Sequence, residues 1–367
     1  MKPLLDNLDG NLQVFLAERR VPAFRGRQIR RWLFVGRARS WDDMTDLPKA
    51  LRGELASEFS LWQTEIVRHT TADDGTEKLL LQLARGGQIE CVLLRDEVRR
   101  TICISTQVGC GMGCVFCASG LEGVERNLTT GEIIEQMLRL QQLLATEERL
   151  SHIVVMGMGE PLANLDALLP ALEQAQRDDG LGISPRRITI STVGLPAAIR
   201  RLARTTPLYR LAVSLHAPND ELRNQIVPVN DKIGLAEILA ATEDYFEVSG
   251  RRLTFEYVLL ADLNDQPEHA HQLAKLLAGR EALVNVIPYN PVAGLPYRTP
   301  SHLAQRAFRE ILEAGGIQVR FRHRKGDKIN AACGQLRRQT LATDQTRMKH
   351  GRETANEEWK DVRIGGY

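Results

Sequence analysis

Short runs of apolar residues recur between residues 101 and 288, and each is followed by a segment with apolar positions at helical spacing. Branched residues occupy both faces of these runs, which is typical of parallel strands buried on both sides. Such strands alternating with helices predict an α/β fold, and six units predict a partial or full barrel. The runs are TICIS (101–105), HIVVM (152–156), RITIS (187–191), RLAVSL (210–215), LTFEYVLL (253–260) and VNVIP (284–288).

The segments on either side of these runs have different patterns. Residues 1–62 place apolar positions at helical spacing, which predicts a small helical domain. Residues 63–100 contain the runs KLLLQL and QIECVLL with turn residues between them, which predicts a β-hairpin linker. A seventh run, IQVRFR, extends the barrel region, which we place at 101–337. The polar residues 338–367 lack periodicity and are expected to form a mobile tail.

The composition is that of a globular protein. The chain has 367 residues, of which 43% are hydrophobic and 26% charged. The N-terminus has acidic residues and no long apolar stretch, so we expect neither a signal peptide nor a membrane segment, and we expect a cytoplasmic location. Six cysteines are too few for a disulfide scaffold in a chain of this size, and three of them fall within eight residues. This pattern favours metal or redox chemistry.

Positive charge is concentrated in two places although the net charge is only +2. Both runs are consistent with RNA binding, and both are equally consistent with ordinary solvated helix faces. Three aromatic residues lie among the first arginines, and their spacing favours the core of a small bundle over stacking on bases; they are Trp32, Phe34 and Trp41. The basic runs are Arg19, Arg20, Arg25, Arg27, Arg30, Arg31, Arg37 and Arg39, and Arg320, Arg322, His323, Arg324, Lys325 and Lys328.

Three cysteines form a C-x3-C-x2-C motif directly after the first predicted barrel strand. Barrels of this kind place their chemistry in the loops after the strands, so Cys110, Cys114 and Cys117 are at an expected position. Three thiolates can bind three irons of a [4Fe-4S] cluster and leave the fourth iron open. Structural zinc sites take four protein ligands, and the loop has neither a fourth cysteine nor a histidine. An iron-sulfur cluster is therefore the favoured interpretation.

This motif resembles that of the radical SAM (S-adenosylmethionine) superfamily, which has an aromatic residue before the last cysteine, here Phe116. The resemblance implies a radical SAM partial (β/α)6 TIM-like barrel. It also implies that SAM binds the open iron and is cleaved, on reduction, to a 5′-deoxyadenosyl radical.

The wider context resembles the RlmN and Cfr family of RNA adenine methyltransferases over residues 85–337. The matching segments are CISTQVGCGMGCVFC, VVMGMGEPLAN, RITISTVG, SLHAPND, IPYNP and AACGQL. The resemblance makes Cys333 the carrier of a methyl group from one SAM, while a second SAM supplies the radical. It makes Cys103 the residue that forms a transient disulfide with Cys333 and releases the product. Cys91 is interpreted as structural.

The resemblance also assigns a general base and a SAM site. Glu90 matches the family's proposed base, and since neighbouring strand residues point oppositely, only Glu90 and not Cys91 would face the site. The SAM contacts fall at predicted strand ends, with Glu160 as an acceptor for the SAM amino group; for His216 the match can reflect the backbone rather than the ring. They are Gly159, Glu160, Ser191, Ser214, Leu215, His216 and Asn290.

The substrate implied by the resemblance is RNA: an adenine of 23S rRNA and, in some members, of tRNA. The proline in MGMGEPLAN favours methylation at C2 over the Cfr-type reaction at C8. Two alternatives from other classes stay open, a radical SAM enzyme acting on a peptide or small molecule, and a non-catalytic RNA-binding protein with structural zinc. We further expect an electron donor such as a flavodoxin-type protein, no membrane partner and a monomeric chain.

Overall fold

The computed structural model describes residues 1–205, 209–322 and 326–336. The predicted tail at 338–367 lies outside the described residues, as do His323, Arg324 and Lys325 of the second basic run. Among the described helices, none is long and apolar enough to cross a membrane.

The N-terminal segment is helical, as its periodicity predicts. Its elements are β1 (Lys2–Pro3), α1 (Leu8–Glu18), α2 (Phe24–Phe34), α3 (Lys49–Glu58) and β2 (Phe59–Ser60), and β1 pairs in parallel with β2. Phe34 is buried, and Trp32 and Trp41 pack against the core, which confirms the bundle interpretation of these aromatic residues. Residues from Leu4 to Leu61 belong to the same hydrophobic core as the barrel, so burial of apolar surface holds the segment to it.

Arg30 corrects one expectation about the first basic run. Its guanidinium is 4% exposed and donates to both carboxylate oxygens of Asp179, at 2.9 and 3.0 Å, and to Asp9 at 2.9 Å. A planar guanidinium matches a carboxylate in this bidentate way. Arg30 therefore joins α2 to the barrel and does not offer its charge to RNA.

The linker forms three antiparallel strands, β3 (Thr64–Thr71), β4 (Glu77–Leu83) and β5 (Gln88–Arg95). The predicted hairpin corresponds to β4 and β5, whereas β3 was not predicted, because most of its residues are exposed and its sequence lacks a clean alternation. The linker is continuous with the barrel sheet, since β5 pairs with β6 (Arg100–Cys103) and places Val92 opposite Cys103.

The barrel region contains all six predicted strands, and they are parallel. They are β6, β9 (His152–Val155), β10 (Ile188–Thr192), β11 (Arg210–Ser214), β12 (Leu253–Leu259) and β13 (Ala282–Pro288). The seventh run forms β14 (Gln318–Phe321), parallel to β13. Together with the linker they make one ten-stranded sheet in the order β14-β13-β12-β11-β10-β9-β6-β5-β4-β3.

Helices follow the parallel strands and bury one side of the sheet, as the alternating pattern predicts. A hairpin of β7 (Gln107–Gly109) and β8 (Val124–Asn127) encloses the cysteine loop. The helices are α4 (Thr130–Gln141), α5 (Leu165–Gln176), α6 (Pro196–Thr205), α7 (Asp220–Ile226), α8 (Leu235–Ser249), α9 (Pro267–Leu277) and α10 (His302–Ala314).

Candidate active site

A cavity of about 160 Å³ opens where the parallel strands end. This is the edge of the sheet at which a barrel is expected to carry its chemistry. Its lining includes residues that follow β9, β10, β11, β13 and β14, together with the cysteine loop. The predicted site residues in the lining are Cys110, Cys114, Cys117, Gly159, Glu160, Ser191, Ser214, His216, Asn290 and Cys333.

The cysteine triad occupies one side of this cavity among apolar side chains, including Met112, Val193 and Val258. Burial raises the pKa of all three thiols, that of Cys110 to about 12. Among the described residues, no three His, Cys, Asp or Glu side chains are grouped as ligands of a single metal ion. An iron-sulfur cluster takes one thiolate for each iron, so its ligands lie farther apart than those of one ion.

The backbone of the cysteine loop is held by its neighbours. The Ala118 N–H donates to the Gly334 carbonyl at 2.8 Å, next to Cys333 in the chain. Gly109 begins the loop at φ +78°, and a Cβ there would collide with the Gly123 carbonyl oxygen. This position therefore requires glycine.

Glu160 is 3% exposed, and its carboxylate is already engaged. Its two oxygens accept from the N–H groups of Leu162 at 3.0 Å and Val193 at 2.8 Å. Burial raises the pKa of this carboxyl, and the backbone donors oppose the shift. Gly159 before it has φ +101°, and a Cβ there would lie 2.6 Å from the Cβ of Gln107. The turn formed by Gly159, Glu160 and Pro161 is thus fixed, with Glu160 at the cavity wall.

The ring of His216 lies edge-on to Phe116, with 4.9 Å between the ring centroids. Its Nδ1 accepts from the Val258 N–H at 3.1 Å, and burial lowers its pKa to about 3, so the ring is neutral. The backbone of His216 is left-handed, at φ +61°. Leu215 is the one predicted SAM contact outside the cavity lining; its side chain is buried in the core, and its N–H donates to the Glu256 carbonyl at 3.0 Å.

Cys333 also lines the cavity and is exposed, and it interacts electrostatically with Cys117 of the triad. Asn290 supports it, since its Nδ2 donates to the Cys333 carbonyl at 3.1 Å while its buried Oδ1 has no partner. Cys103 is half-buried on β6, and burial, with a further contribution from nearby Cys333, raises the pKa of its thiol to about 12. The structure thus brings the two cysteines close to each other.

An ion pair beside Cys333, between half-buried Arg322 and buried Glu256, was not predicted from the sequence. Arg322 lies 3.6 Å from Glu256, and its Nη1 is 3.9 Å from the Cys333 Sγ. Burial lowers the pKa of Arg322, whereas Glu256 and Cys333 raise it. The resulting pKa of Arg322 lies above its ordinary value. A signal for Glu256 was present, since it is the one acidic residue within the apolar run LTFEYVLL. The sequence placed Arg322 in the second basic run, without a site role.

Glu90 is fully buried on β5 and does not line the cavity. Its carboxylate pairs with Lys78 at 2.8 Å. The strand register places Glu90 opposite Leu80, and Val92, two residues on, opposite Cys103, so Glu90 and Cys103 share one face of the sheet. Cys91 lies on the other face and is buried in the hydrophobic core.

The barrel region and the N-terminal segment each match a known protein family. Residues 104–274 match the model of the radical SAM superfamily, and residues 3–61 match that of the ribosomal RNA large subunit methyltransferase N-terminal domain. A probable dual-specificity RNA methyltransferase RlmN from Rhodopirellula baltica is 64% identical over 327 residues, covering 89% of this chain and 88% of the relative. The chain belongs to the RlmN family of radical SAM RNA methyltransferases.

Other members of the RlmN family agree over nearly the whole chain. A probable dual-specificity RNA methyltransferase RlmN 3 from Opitutus terrae is 45% identical and covers 94% of this chain and 98% of the relative. The crystal structure of a radical SAM methyltransferase from Sphaerobacter thermophilus has a TM-score of 0.89 at 43% identity, and the match covers 92% of this chain and 99% of that one. The radical SAM barrel predicted from the sequence is thereby confirmed.

Membership of the radical SAM superfamily implies a [4Fe-4S] cluster and SAM. The side chains that line the cavity fit both the cluster and SAM. Three thiols and no competing imidazole nitrogen come together on one side of the cavity, since the Nδ1 of His216 is occupied by a backbone donor. Next to them the Asn290 Oδ1 is buried without a partner in the structure, as expected of an acceptor that awaits a ligand donor.

Proposed function

We propose that this chain methylates C2 of an adenine in 23S rRNA and in tRNA, using two SAM molecules per turnover. The close relatives support two RNA substrates, since they are named dual-specificity RNA methyltransferases RlmN. The MGMGEPLAN segment supports C2 rather than C8, because it resembles the RlmN pattern. An electron donor of the flavodoxin type, a monomeric chain and a cytoplasmic location remain predictions.

The observation that carries this proposal is the position of Cys333. Its thiol lines the same cavity as the three predicted cluster cysteines, and it interacts electrostatically with Cys103 from β6. A radical SAM enzyme that acts by direct hydrogen abstraction from its substrate needs neither of these two cysteines. Their proximity to each other and to the triad favours a covalent carrier at Cys333.

In the proposed reaction, Cys110, Cys114 and Cys117 hold the cluster, and Glu160, Ser191, Ser214 and Asn290 surround SAM. When bound, the cluster and SAM supply the methyl group and the radical that removes hydrogen from it. Cys333 holds that methyl group as a thioether beside the cavity, where its carbon meets the adenine. The apolar wall of the cavity excludes water from these atoms.

Release of the product depends on Glu90 and Cys103. The radical adduct gives up one electron, which the cluster would accept when bound, and Glu90 takes the proton from the methylated carbon of the adenine. The Cys103 thiol then loses its proton, and its sulfur attacks the Cys333 sulfur. A sulfur–sulfur bond forms as the bond between Cys333 and the methylene carbon breaks. The electron pair of the broken bond stays on the methylene carbon, which takes up a proton to become the methyl group of the product. An external reductant must then restore both thiols.

RNA binding is proposed for an exposed face of α2. Phe24, Arg27 and Arg31 are exposed and three or four residues apart, so they lie along one side of the helix, and exposed Val35 follows directly after it. Neither Arg27 nor Arg31 has an ion-pair partner among the described residues, in contrast to Arg30. Two uncompensated cations on one helix face suit contacts with phosphates.

Replacement of Arg27 and Arg31 by Gln tests this face without disturbing the core. Loss of about two phosphate contacts should weaken RNA binding and lower the slope of log affinity against log salt by about 2. Filter binding at several salt concentrations measures both quantities. The matched control is Arg306→Gln on α10, which should bind RNA like the native protein. An unchanged salt slope in the double variant would exclude this face.

The whole proposal is tested by anaerobic reconstitution of the chain with iron, sulfide, SAM and a reductant. The enzyme is incubated with unmodified ribosomal RNA, and separately with tRNA, and the digested nucleosides are compared with standards by mass spectrometry. We expect 2-methyladenosine from the native chain and none from Cys333→Ala. Product from Cys333→Ala would exclude the carrier mechanism, and 8-methyladenosine would assign the Cfr-type reaction instead.

A further inference from the structure

Lys78 on β4 has no role in the reaction described above, yet it is one of the most deeply buried cations of the described chain. It is 6% exposed, and its Nζ lies 2.8 Å from the Glu90 Oε1. Removing two charges from water is costly, so a buried ion pair contributes little to stability compared with apolar residues of similar size. Its presence beside a predicted base suggests a role in the reaction.

The second contact of Lys78 is with the segment that carries the methyl group. Its Nζ donates to the carbonyl oxygen of Asn330 at 3.0 Å, three residues before Cys333. Asn330 has a left-handed backbone, at φ +51°, a conformation that asparagine adopts more readily than most other non-glycine residues. One ammonium group therefore touches both the predicted base and the segment of the carrier.

The turn between β3 and β4 holds the beginning of the same segment. The carboxylate of Asp74 accepts from the Gly326 N–H at 2.9 Å with one oxygen and from the Thr76 N–H at 2.9 Å with the other. The linker thus contacts the segment 326–336 through Asp73 and Asp74, which bind Lys328 and Gly326 near its start, and through Lys78 nearer Cys333. The first part of the carrier segment, up to Asn330, is therefore tied to the linker, whereas Cys333 and the residues after it are held by the barrel.

We propose that Lys78 is a positioning residue that holds Glu90 and the Cys333-bearing segment in one charge-paired arrangement. This inference rests on the proposed function, in which Glu90 accepts the proton and Cys333 carries the methyl group. Lys78 compensates the charge of Glu90 in a fully buried position, because removing a carboxylate from water without a paired cation is costly in free energy. Its bond to Asn330 fixes where the carrier stands relative to that carboxylate.

The test is a double-mutant cycle on the reconstituted full-length enzyme with Lys78→Met, Glu90→Gln and both changes together. General-base catalysis contributes about 10²- to 10⁴-fold, so Glu90→Gln should lower the turnover number by at least about a hundredfold. Lys78→Met should lower it by about tenfold or more. Because Lys78 acts through Glu90, the double variant should fall no more than about twofold below Glu90→Gln.

Three further measurements separate positioning from general damage. Lys78→Arg keeps the charge and should restore a large part of the turnover number. Methylation of Cys333 by labelled SAM, measured by intact-protein mass spectrometry without RNA, should continue in Glu90→Gln. The matched control is Lys275→Met, which removes an exposed lysine on α9 and should leave turnover unchanged.

If the fold-decreases in turnover number of the two single variants multiply in the double variant, the two residues act independently, and the proposed role of Lys78 is overturned. Native turnover in Lys78→Met would overturn it as well. Native turnover in Glu90→Gln would instead overturn the proposed base, whatever Lys78 does. If Lys78→Met does not take up the cluster, Lys78→Arg decides the question. Turnover within about tenfold of native would support the inference, and turnover as low as that of Glu90→Gln would overturn it.

Discussion

The cavity is lined by cysteines in two different surroundings, which we call the cluster side and the carrier side. On the cluster side, the thiols of Cys110, Cys114 and Cys117 lie among apolar side chains. On the carrier side, the thiol of Cys333 is exposed and lies beside the ion pair of Arg322 and Glu256. A metal ligand gives up its proton once and must then be shielded, whereas a thiol that reacts in every turnover needs access and a nearby positive charge.

The largest expected effect comes from replacing one cysteine of the cluster side and, separately, one of the carrier side by alanine. Cys114→Ala removes a cluster ligand, so the visible absorbance of the reconstituted protein and all methylated nucleoside should be lost. Cys333→Ala removes only the carrier, so the absorbance and reductive cleavage of SAM should persist while the product disappears. Absorbance spectra and nucleoside mass spectrometry measure the two outcomes.

Cys91→Ala is the matched control for this pair, since Cys91 is buried in the core outside the cavity. It should keep the cluster and the activity. If Cys333→Ala also lost the cluster, the two sides would not be separable in function, and the contrast between ligand and carrier would be wrong.

The next largest effect is expected from the charge beside Cys333. Arg322→Met removes a cation whose Nη1 lies 3.9 Å from the carrier sulfur. Because this guanidinium places a positive charge beside the sulfur that attacks the methyl group of SAM, its loss should slow methylation of Cys333 by labelled SAM about tenfold, while the cluster remains. Intact-protein mass spectrometry over time gives the rate.

Arg306→Met, which removes an exposed arginine on α10, is the control for Arg322→Met and should methylate at the native rate. An unchanged rate in Arg322→Met would show that the carrier thiol does not depend on this cation. The role of Arg322 would then be confined to its ion pair with Glu256.

The architecture follows from the sequence because its signals are local. Branched runs on both faces specify buried parallel strands, and the structure has a strand at each of them. The position of the cavity follows as well, because the carboxyl ends of parallel strands meet at one edge of the sheet. Ser191, Ser214 and Asn290 were placed on this basis together with the family resemblance, and all three line the cavity.

The ion pairs could not be predicted, because they depend on which strands become neighbours. Arg322 and Glu256 come together only when β14, β13 and β12 align side by side. Lys78 meets Glu90 diagonally across the β4–β5 pair, which requires the register as well as the strands. Arg30 looked like its basic neighbours, and only the packing of α2 on the barrel distinguishes it. These contacts are long-range consequences of the fold.

The smallest expected effect concerns Cys103, which belongs to the carrier side but is half-buried. Burial, with Cys333 contributing less, raises the pKa of its thiol from 9.0 to about 12. The folded thiol therefore keeps its proton at pH values where an unfolded one loses it. Alkylation of Cys103 by iodoacetamide in the cluster-free protein should rise about tenfold per pH unit from 7 to 10 without levelling off. Peptide-resolved mass spectrometry gives the rate at each pH.

Cys333→Ser is the sharper form of the same experiment. Because burial is the larger cause of the shift, removal of the neighbouring thiol should speed the alkylation of Cys103 only by a few-fold. A rate that levels off near pH 9 would mean that Cys103 reacts with an ordinary pKa through an opened form of the protein. Burial would then not distinguish Cys103 from Cys333, and the thiol of Cys103 would be as accessible to the reagent as that of Cys333.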